Sequence, residues 1–301
     1  MNKKPNRQDF RANTRLRVRW SEVDLQKIVF NAHYLMYFDT AVADYWRDLA
    51  MPYEETMHQW GGDLYVKNAS VEYFASARYE DQLDVMLKCL KVGNSSIVFE
   101  GAIFRADQLL VTCELIYVYA KPNNQGLSQQ AGQTSQPVPA ALRELLTAFE
   151  AGLPMTQVKT GTWNDLGTDA AKLRTAVFVE EQGIPAEMEW DEADKTSLHA
   201  LAYNRLGLPL ATGRLLPAGS VNGQASSKLG RMAVHRVMRG SNLGKDVLTT
   251  LIAAAHARGD QNIVIHAQCN VENFYKKQGF MARGAPFDEV GIAHLEMVKR
   301  L

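Results

Sequence analysis

Cysteine is scarce in this chain: Cys89, Cys113 and Cys269 are far apart and odd in number. That excludes a disulfide framework and gives no paired spacing for a zinc finger or other metal site. A reducing, cytoplasmic setting is the simplest expectation. Neither sign of charge is in excess, because 33 Lys and Arg residues balance 33 Asp and Glu. A chain devoted to the nucleic-acid backbone normally carries a marked basic surplus, so no nucleic-acid partner is expected. No uncharged apolar run approaches the roughly 18 residues that a membrane span needs. The opening MNKKPNRQDFRANTR is basic and polar, with no apolar stretch behind it, and does not read as a secretory signal. Wholesale disorder is excluded as well, since 46% hydrophobic and 22% charged residues is ordinary for a globular protein.

What is present is enough chain for two domains: 301 residues, at roughly 100–200 per domain. The clearest change of composition is KPNNQGLSQQAGQTSQPVP, from Lys121 to Pro139. Rich in Gln, Ser, Gly and Asn, it cannot build a core and is expected to be flexible. Leu142, Leu145, Leu146 and Phe149 then recur at helical spacing, and Gly152-Leu-Pro154 breaks the pattern. The expected domains are residues 1–152 and 153–301.

In the first domain Leu16, Val18 and Trp20 alternate with arginines, the period of a half-buried strand. A helix is expected from about Ala32 to Leu49, with Leu35, Phe38, Val42, Tyr45 and Trp46 on its apolar face and Pro52 as its stop. Strands follow around Leu83–Cys89, Ile97–Ile103 and Val111–Tyr119, with turns at Gly93-Asn94 and Ala106-Asp107 between them. This is an α+β plan, an antiparallel sheet wrapped on one helix. The second domain alternates differently. Helices are expected at Asp165–Gln182, Asn242–Arg258 and Glu272–Lys277, and strands at Ser197–Tyr203, Pro209–Leu216, Lys228–Val234, Asn262–Ala267 and His294–Arg300.

Two segments carry chemistry. In WSEVDLQKIVFNAHY an acidic residue, Asp24, stands seven positions before a helix start at Asn31. A helix start leaves N–H groups unpaired and carries partial positive charge, which suits the oxyanion formed when a thioester carbonyl is attacked. A carboxylate opposite can activate water or attack the carbonyl itself. Glu22 competes for that role, because alternation from Trp20 sets it on the same face as Asp24. The run RVRWSEVDLQKIVFNAHYLMYFDTA resembles the hotdog-fold acyl-CoA thioesterases of the 4-hydroxybenzoyl-CoA thioesterase and YbgC type, over about residues 13–122 with a C-terminal helix near 138–150. The resemblance implies that Asp24 is the catalytic carboxylate and the Asn31 N–H the oxyanion donor. It also implies a site between subunits, hence a homodimer or larger homo-oligomer. Leu25-Gln26-Lys27 departs from the small residues usual after the aspartate. A related subfamily uses a helix glutamate; here the helix offers only Asp39 and Asp44, so Asp24 is preferred. His33 reads as a first-turn residue, and Arg78 and Lys91 as surface cations within range of CoA phosphates.

The second segment, GRMAVHRVMRGSNLGKDVL, reads as strand, Gly-containing turn and helix. Successive N–H groups at such a turn bind anions. It is neither a Walker loop nor a GxGxxG fingerprint. With FVEEQGIP (178–185), EWDEAD (189–194), ATGRL (211–215), HAQCNVENFYKKQGF (266–280) and PFDEVGIAH (286–294), it resembles the GNAT acyltransferases, in particular the ElaA-like branch, over residues 156–301. The resemblance implies that Arg239, Gly240, Ser241, Asn242, Leu243 and Gly244 cradle the CoA pyrophosphate. Met232, Ala233 and Val234 would orient the pantetheine, and Tyr275 would protonate the departing thiolate. Asn242 replaces the family's middle glycine but tolerates the left-handed backbone a turn needs. A tyrosine of ordinary pKa near 10 suits donation at neutral pH. The acidic stretch Glu180 to Asp194 reads either as attraction for an amine or as solvated surface. His199 and His294 read as core histidines or bases, and His266 with Cys269 lacks the second pair that metal binding needs.

The expectation is therefore a bifunctional CoA-ester enzyme with CoA and acyl-CoA as substrates, acetyl-CoA and an amine of unknown identity for the second domain, no tightly bound cofactor and no metal. Two rivals stand beside it: an acyl-CoA binding or regulatory protein with one silent domain, and a hotdog domain serving only as a dimerisation platform.

Overall fold

The computed structural model describes residues 4–122, 133–221 and 224–301. The chain divides into two compact units, Met1–Met155 and Thr156–Leu301. The stretch expected to be flexible, 121–139, falls mainly outside the described residues. What is described of it includes a short strand, β6, at Gln133–Ser135.

The first unit contains β1 (Ala12–Arg17), α1 (Asn31–Asp48), α2 (Tyr53–Trp60), β2 (Asp63–Tyr73), β3 (Gln82–Val92), β4 (Ser96–Arg105), β5 (Gln108–Pro122), β6 and α3 (Ala140–Glu150). Its sheet is antiparallel, in the order β1-β3-β4-β5-β2 with β6 beside β5. α1 is helical because Tyr34, Tyr37, Phe38, Ala41, Val42, Tyr45 and Trp46 recur every three or four positions and are all buried. Such an apolar stripe has to find a sheet to lie on. The close approach is made possible by Gly101 in β4, where a Cβ would fall 2.5 Å from the Phe38 ring. Tyr45 closes the far end, edge-on to Phe99 and Phe149.

Three elements depart from expectation. β1 ends at Arg17, and Trp20–Glu22 forms a 3-10 turn that leaves Trp20 78% exposed. α2 resumes immediately after Pro52, which sits at its start, a position proline tolerates because the first N–H groups are unpaired anyway. β2 was hidden by a bulge between Val66 and Asn68 and by polar residues on both faces, so its sequence lacks a sustained period of two.

The second unit contains β7 (Thr156–Gly161), α4 (Trp163–Arg174), a π-helical segment (Thr175–Glu181), α5 (Ala186–Glu189), β8 (Leu198–Asn204), β9 (Pro209–Leu215), β10 (Gly219–Val221), β11 (Gln224–Val234), α6 (Leu243–Ala257), β12 (Asn262–Gln268), α7 (Glu272–Lys276), β13 (Met281–Ala282), β14 (Phe287–Glu289) and β15 (Ile292–Arg300). The sheet runs β13-β15-β12-β11-β9-β8-β7. The single helix expected from Asp165 to Gln182 is instead α4 followed by the π segment. α4 starts at Trp163, where the Thr162 N–H and hydroxyl both donate to Asp165. Most pairs are antiparallel, but β11 and β12 run parallel, from Ser226–Leu229 against Asn262–Ile265. Beyond Leu229, β11 continues on β9 and β12 continues on β15. The two strands part there and leave an opening.

Candidate active sites

In the first unit Asp24 sits on a short hairpin that leads into α1. The Phe30 N–H donates to the Glu22 carbonyl, Val23 bridges Val29, and the Asp24 N–H donates to Ile28 at 2.9 Å. Asp24 is half-buried, and its carboxylate accepts from the Gln26 N–H at 2.8 Å. Lys27 has φ 62°, a left-handed conformation that explains why glycine would be easier there. Leu25 is fully exposed at the tip. The hairpin is pinned from below, as the Val29 N–H donates to the Ala77 carbonyl and the Ala77 N–H to the Tyr34 hydroxyl.

Asn31 is the first residue of α1, and its carbonyl accepts from the Tyr73 hydroxyl at 3.3 Å. The N–H groups of Asn31 and Ala32 have no acceptor among the described residues. The helix start beside the Asp24 hairpin thus has donors to spare. His33 turns toward Met36 and the Phe30 ring.

Glu22 does not share the face of Asp24, because the 3-10 turn breaks the alternation. It is buried and accepts from the Arg19 N–H at 2.7 Å, the Arg19 guanidinium at 2.8 Å and the Tyr37 hydroxyl at 2.8 Å. Burial opposes its ionisation, yet these donors together hold it below its ordinary value. A carboxylate so occupied is structural. Asp44 is likewise engaged, by Thr14 and Arg47. Asp39 is not: it is exposed in this unit, has no hydrogen-bond or ion-pair partner among the described residues, and partial desolvation by the surrounding chain raises its carboxyl pKa. Sequence reasoning set Asp39 aside because the related subfamily uses a helix glutamate and an aspartate stands here. Arg78 lines an open recess of about 660 Å³ with Ile28, Ala75, Ser76, Asp81 and Arg105, on the flank of the Asp24 hairpin. Lys91 is exposed.

In the second unit the opening between β11 and β12 is completed by the turn before α6. Gly240 has φ 87° and Asn242 φ 67°, so asparagine does adopt the left-handed conformation the turn demands. The N–H groups of Gly240, Asn242, Leu243 and Gly244 have no acceptor among the described residues. They lie at the positive end of a 15-residue helix, where an anion is stabilised. Gly244 has a packing role: a Cβ there would sit 3.1 Å from Val234 and 3.7 Å from the Phe274 ring. The Ser241 hydroxyl is turned inward to the Met238 carbonyl. Arg239 is committed elsewhere in this state, its two terminal nitrogens each 2.6 Å from Glu181 and its Nε 3.3 Å from the Val234 carbonyl.

β11 bulges between Gly230 and Ala233, with Arg231 at φ 51°. The bulge turns Met232 and Ala233 to opposite faces: the Met232 sulfur fills the space left by Gly213, and Ala233 packs with Leu173, Val177 and Phe178. Tyr275 is a buried residue of α7, next to Phe274, the residue that approaches Gly244 at the start of α6. Its ring is edge-on to Phe274 and Phe280. The expectation of an ordinary pKa fails, since burial pushes the hydroxyl above its usual value. It keeps its proton at neutral pH more firmly and remains a donor.

The acidic stretch is not wholly solvated. Glu189 and Asp194 are buried with Arg174, which lies 2.5 Å from Glu189 and 2.8 Å from Asp194. Arg214 joins Asp191 and Asp194, and Arg231 approaches Glu189 and Asp191 at 3.4 and 3.3 Å. Three arginines cancel three carboxylates. His199 is a core residue, 2.8 Å from the Asp194 carbonyl, and burial lowers its pKa. His294 is tied to the Ile292 carbonyl and stacked on Phe287, and His266 contacts Lys228 and Glu289.

Comparison with known proteins finds matches for both units. Residues 26–112 match the family model of the thioesterase superfamily and residues 185–301 that of the acetyltransferase (GNAT) domain. The uncharacterized N-acetyltransferase YjcF of Bacillus subtilis is 33% identical over 132 residues, 44% of this chain and 90% of YjcF. Protein ElaA of Escherichia coli is 30% identical over 132 residues, 43% of this chain and 84% of ElaA. Among solved structures, a 1,4-dihydroxy-2-naphthoyl-CoA thioesterase from Synechocystis is 18% identical with a TM-score of 0.39, covering 45% of this chain and 94% of that one. A hotdog thioesterase fold is thus followed by a GNAT acyltransferase fold. The chain belongs to the GNAT acetyltransferases through its second unit, and its first unit carries a match to the thioesterase superfamily at residues 26–112.

Proposed function

We propose that the chain is a bifunctional CoA-ester enzyme, hydrolysing an acyl-CoA thioester in its first unit and transferring an acyl group from acyl-CoA to an amine in its second. One observation supports both halves: each unit begins a helix with unpaired N–H groups, at Asn31 after the Asp24 hairpin and at Gly240 to Gly244 in the turn before α6.

In the first reaction Asp24 activates water or attacks the thioester carbonyl, and the Asn31 N–H receives the oxyanion. In the second, the turn from Arg239 to Gly244 holds the pyrophosphate, and β11 at Met232–Val234 lies along the pantetheine. The neutral amine attacks the acyl carbonyl, and the C–S bond breaks as the amide forms. Tyr275 gives its proton to the departing thiolate and regains the one that the amide nitrogen sheds. Acetyl-CoA is the donor we expect. The long exposed edge strand β2 supports a homodimer that completes the hydrolytic site.

Thiol release from a panel of acyl-CoA thioesters, with and without added amines, tests both halves. Asp24→Asn is expected to abolish amine-independent release while leaving amine-dependent release unchanged. Tyr275→Phe does the reverse. Full hydrolysis by Asp24→Asn would remove the first assignment, and its loss in Asp39→Asn alone would transfer the role to that helix carboxylate. If Tyr275→Phe loses activity but the Asp24 and Asp39 variants change nothing, the hotdog unit is only a platform.

A further inference from the structure

The segment FVEEQGIP has no role in either reaction, yet it spans the opening between β11 and β12. Glu181 ends the π-helical segment, and its carboxylate takes both terminal nitrogens of Arg239 at 2.6 Å each. The next residue, Gln182, accepts a hydrogen bond from Gln268 at 2.9 Å, and Gln268 ends β12. Two adjacent residues therefore tie the β11–α6 side of the opening to the β12 side. π-Helical turns are uncommon and frequent at functional sites.

An arginine fork presents its paired N–H groups in a geometry that fits a carboxylate or a phosphate equally well. Glu181 occupies the fork on the residue that opens the pyrophosphate turn. The Glu181–Arg239 pair is partly exposed, with 34% and 43% of the side chains accessible, so the contact is open to exchange and its strength is limited by solvent.

Building on the reading of residues 239–244 as the CoA cradle, we propose that Glu181 is a built-in competitor for the pyrophosphate at Arg239. CoA must displace the Glu181 carboxylate, and the exchange releases one end of the strap across the opening. Glu181 thereby sets the affinity for CoA without touching it.

Calorimetric titration of the full chain with CoA, in a double-mutant cycle, tests this. Both residues are partly exposed, so Glu181→Gln and Arg239→Gln leave the core intact. Glu181→Gln is expected to bind CoA up to about fivefold more tightly, the ceiling for an exposed ion pair. Arg239→Gln binds more weakly, and adding Glu181→Gln to it changes nothing further. Dephospho-CoA, which keeps the pyrophosphate, shows the same gain. Equal tightening in the Arg239→Gln background would make Glu181 a diffuse repulsive charge and overturn the proposal. So would a gain confined to CoA, or wild-type binding that Glu181→Gln leaves unaltered. Absence of CoA binding in all four proteins would remove the cradle itself, and the competitor with it.

Discussion

Glu22 and Asp24 stand two positions apart and have opposite fates. Glu22 is 4% exposed and saturated with donors, whereas Asp24 is half-buried with one backbone donor. The sequence showed two carboxylates at a spacing of two and implied one face; a 3-10 turn, set by contacts of Arg19 and Tyr37 that no local pattern reveals, rotates them apart. Because the folded pKa of Glu22 is depressed, its contribution to stability is complete above the unfolded value near 4.3 and lost as pH falls through the folded one. Glu22→Gln should therefore cost about 1–3 kcal/mol at neutral pH, read as a lower melting temperature. The deficit should shrink when melts are repeated toward pH 3. Asn242 shows the opposite case, since the family resemblance set it at a turn glycine's place and asparagine's tolerance for positive φ fits the φ of 67° found there.

Whole elements were legible where burial imposes a period. α1 and β5 bury one face, and their apolar positions announce it; β3 and the end of β4 bury both, since Met86, Ala102 and Phe104 pack with Phe10 on the face opposite Val85 and Ile103. β2 buries almost nothing, and β7 is half-exposed, so neither leaves a pattern to read. The segment from α5 to β8 failed differently. Its charges looked like solvated surface, but Arg174 and Arg214 meet them through the fold from 15 to 23 positions away. Arg174 also lies over the Trp190 ring, 4.7 Å from its centre. Among the described residues, removing it leaves Glu189 with only the longer Arg231 contact and Asp194 with only Arg214, so Arg174→Ala should destabilise the second unit by about 3 kcal/mol, visible as a separate early melting transition. Arg214 and Arg174 hold Asp191 and Asp194 below their ordinary values. Their stabilisation is present above the unfolded aspartate value near 3.9 and disappears below it. Amide exchange, quenched from a series of pH values, should show residues 189–197 losing protection first as pH drops under about 4.

At the scale of the molecule, zero net charge and a polyanionic substrate are compatible because the proposed sites hold their anions with backbone N–H groups. The proposed homodimer rests on a different physical basis. β2 is an 11-residue strand on the edge of its sheet, with Tyr65, Val66 and Tyr73 exposed. An edge of that length with apolar side chains invites a partner strand, and a two-fold axis lets it pair with its own copy. Pairing about the strand centre near Asn68 places Val66 of each copy within the new ladder. Val66→Lys touches nothing in the isolated unit, where Val66 is 52% exposed, but buries two extra charges in the paired form. Light scattering should record half the wild-type mass for this variant, with a fold unchanged by circular dichroism. If the hydrolytic site needs both copies, thiol release from acyl-CoA falls with the mass while amine-dependent transfer persists. A Val66→Lys protein that keeps both its mass and its hydrolysis would place the assembly, if any, on another face.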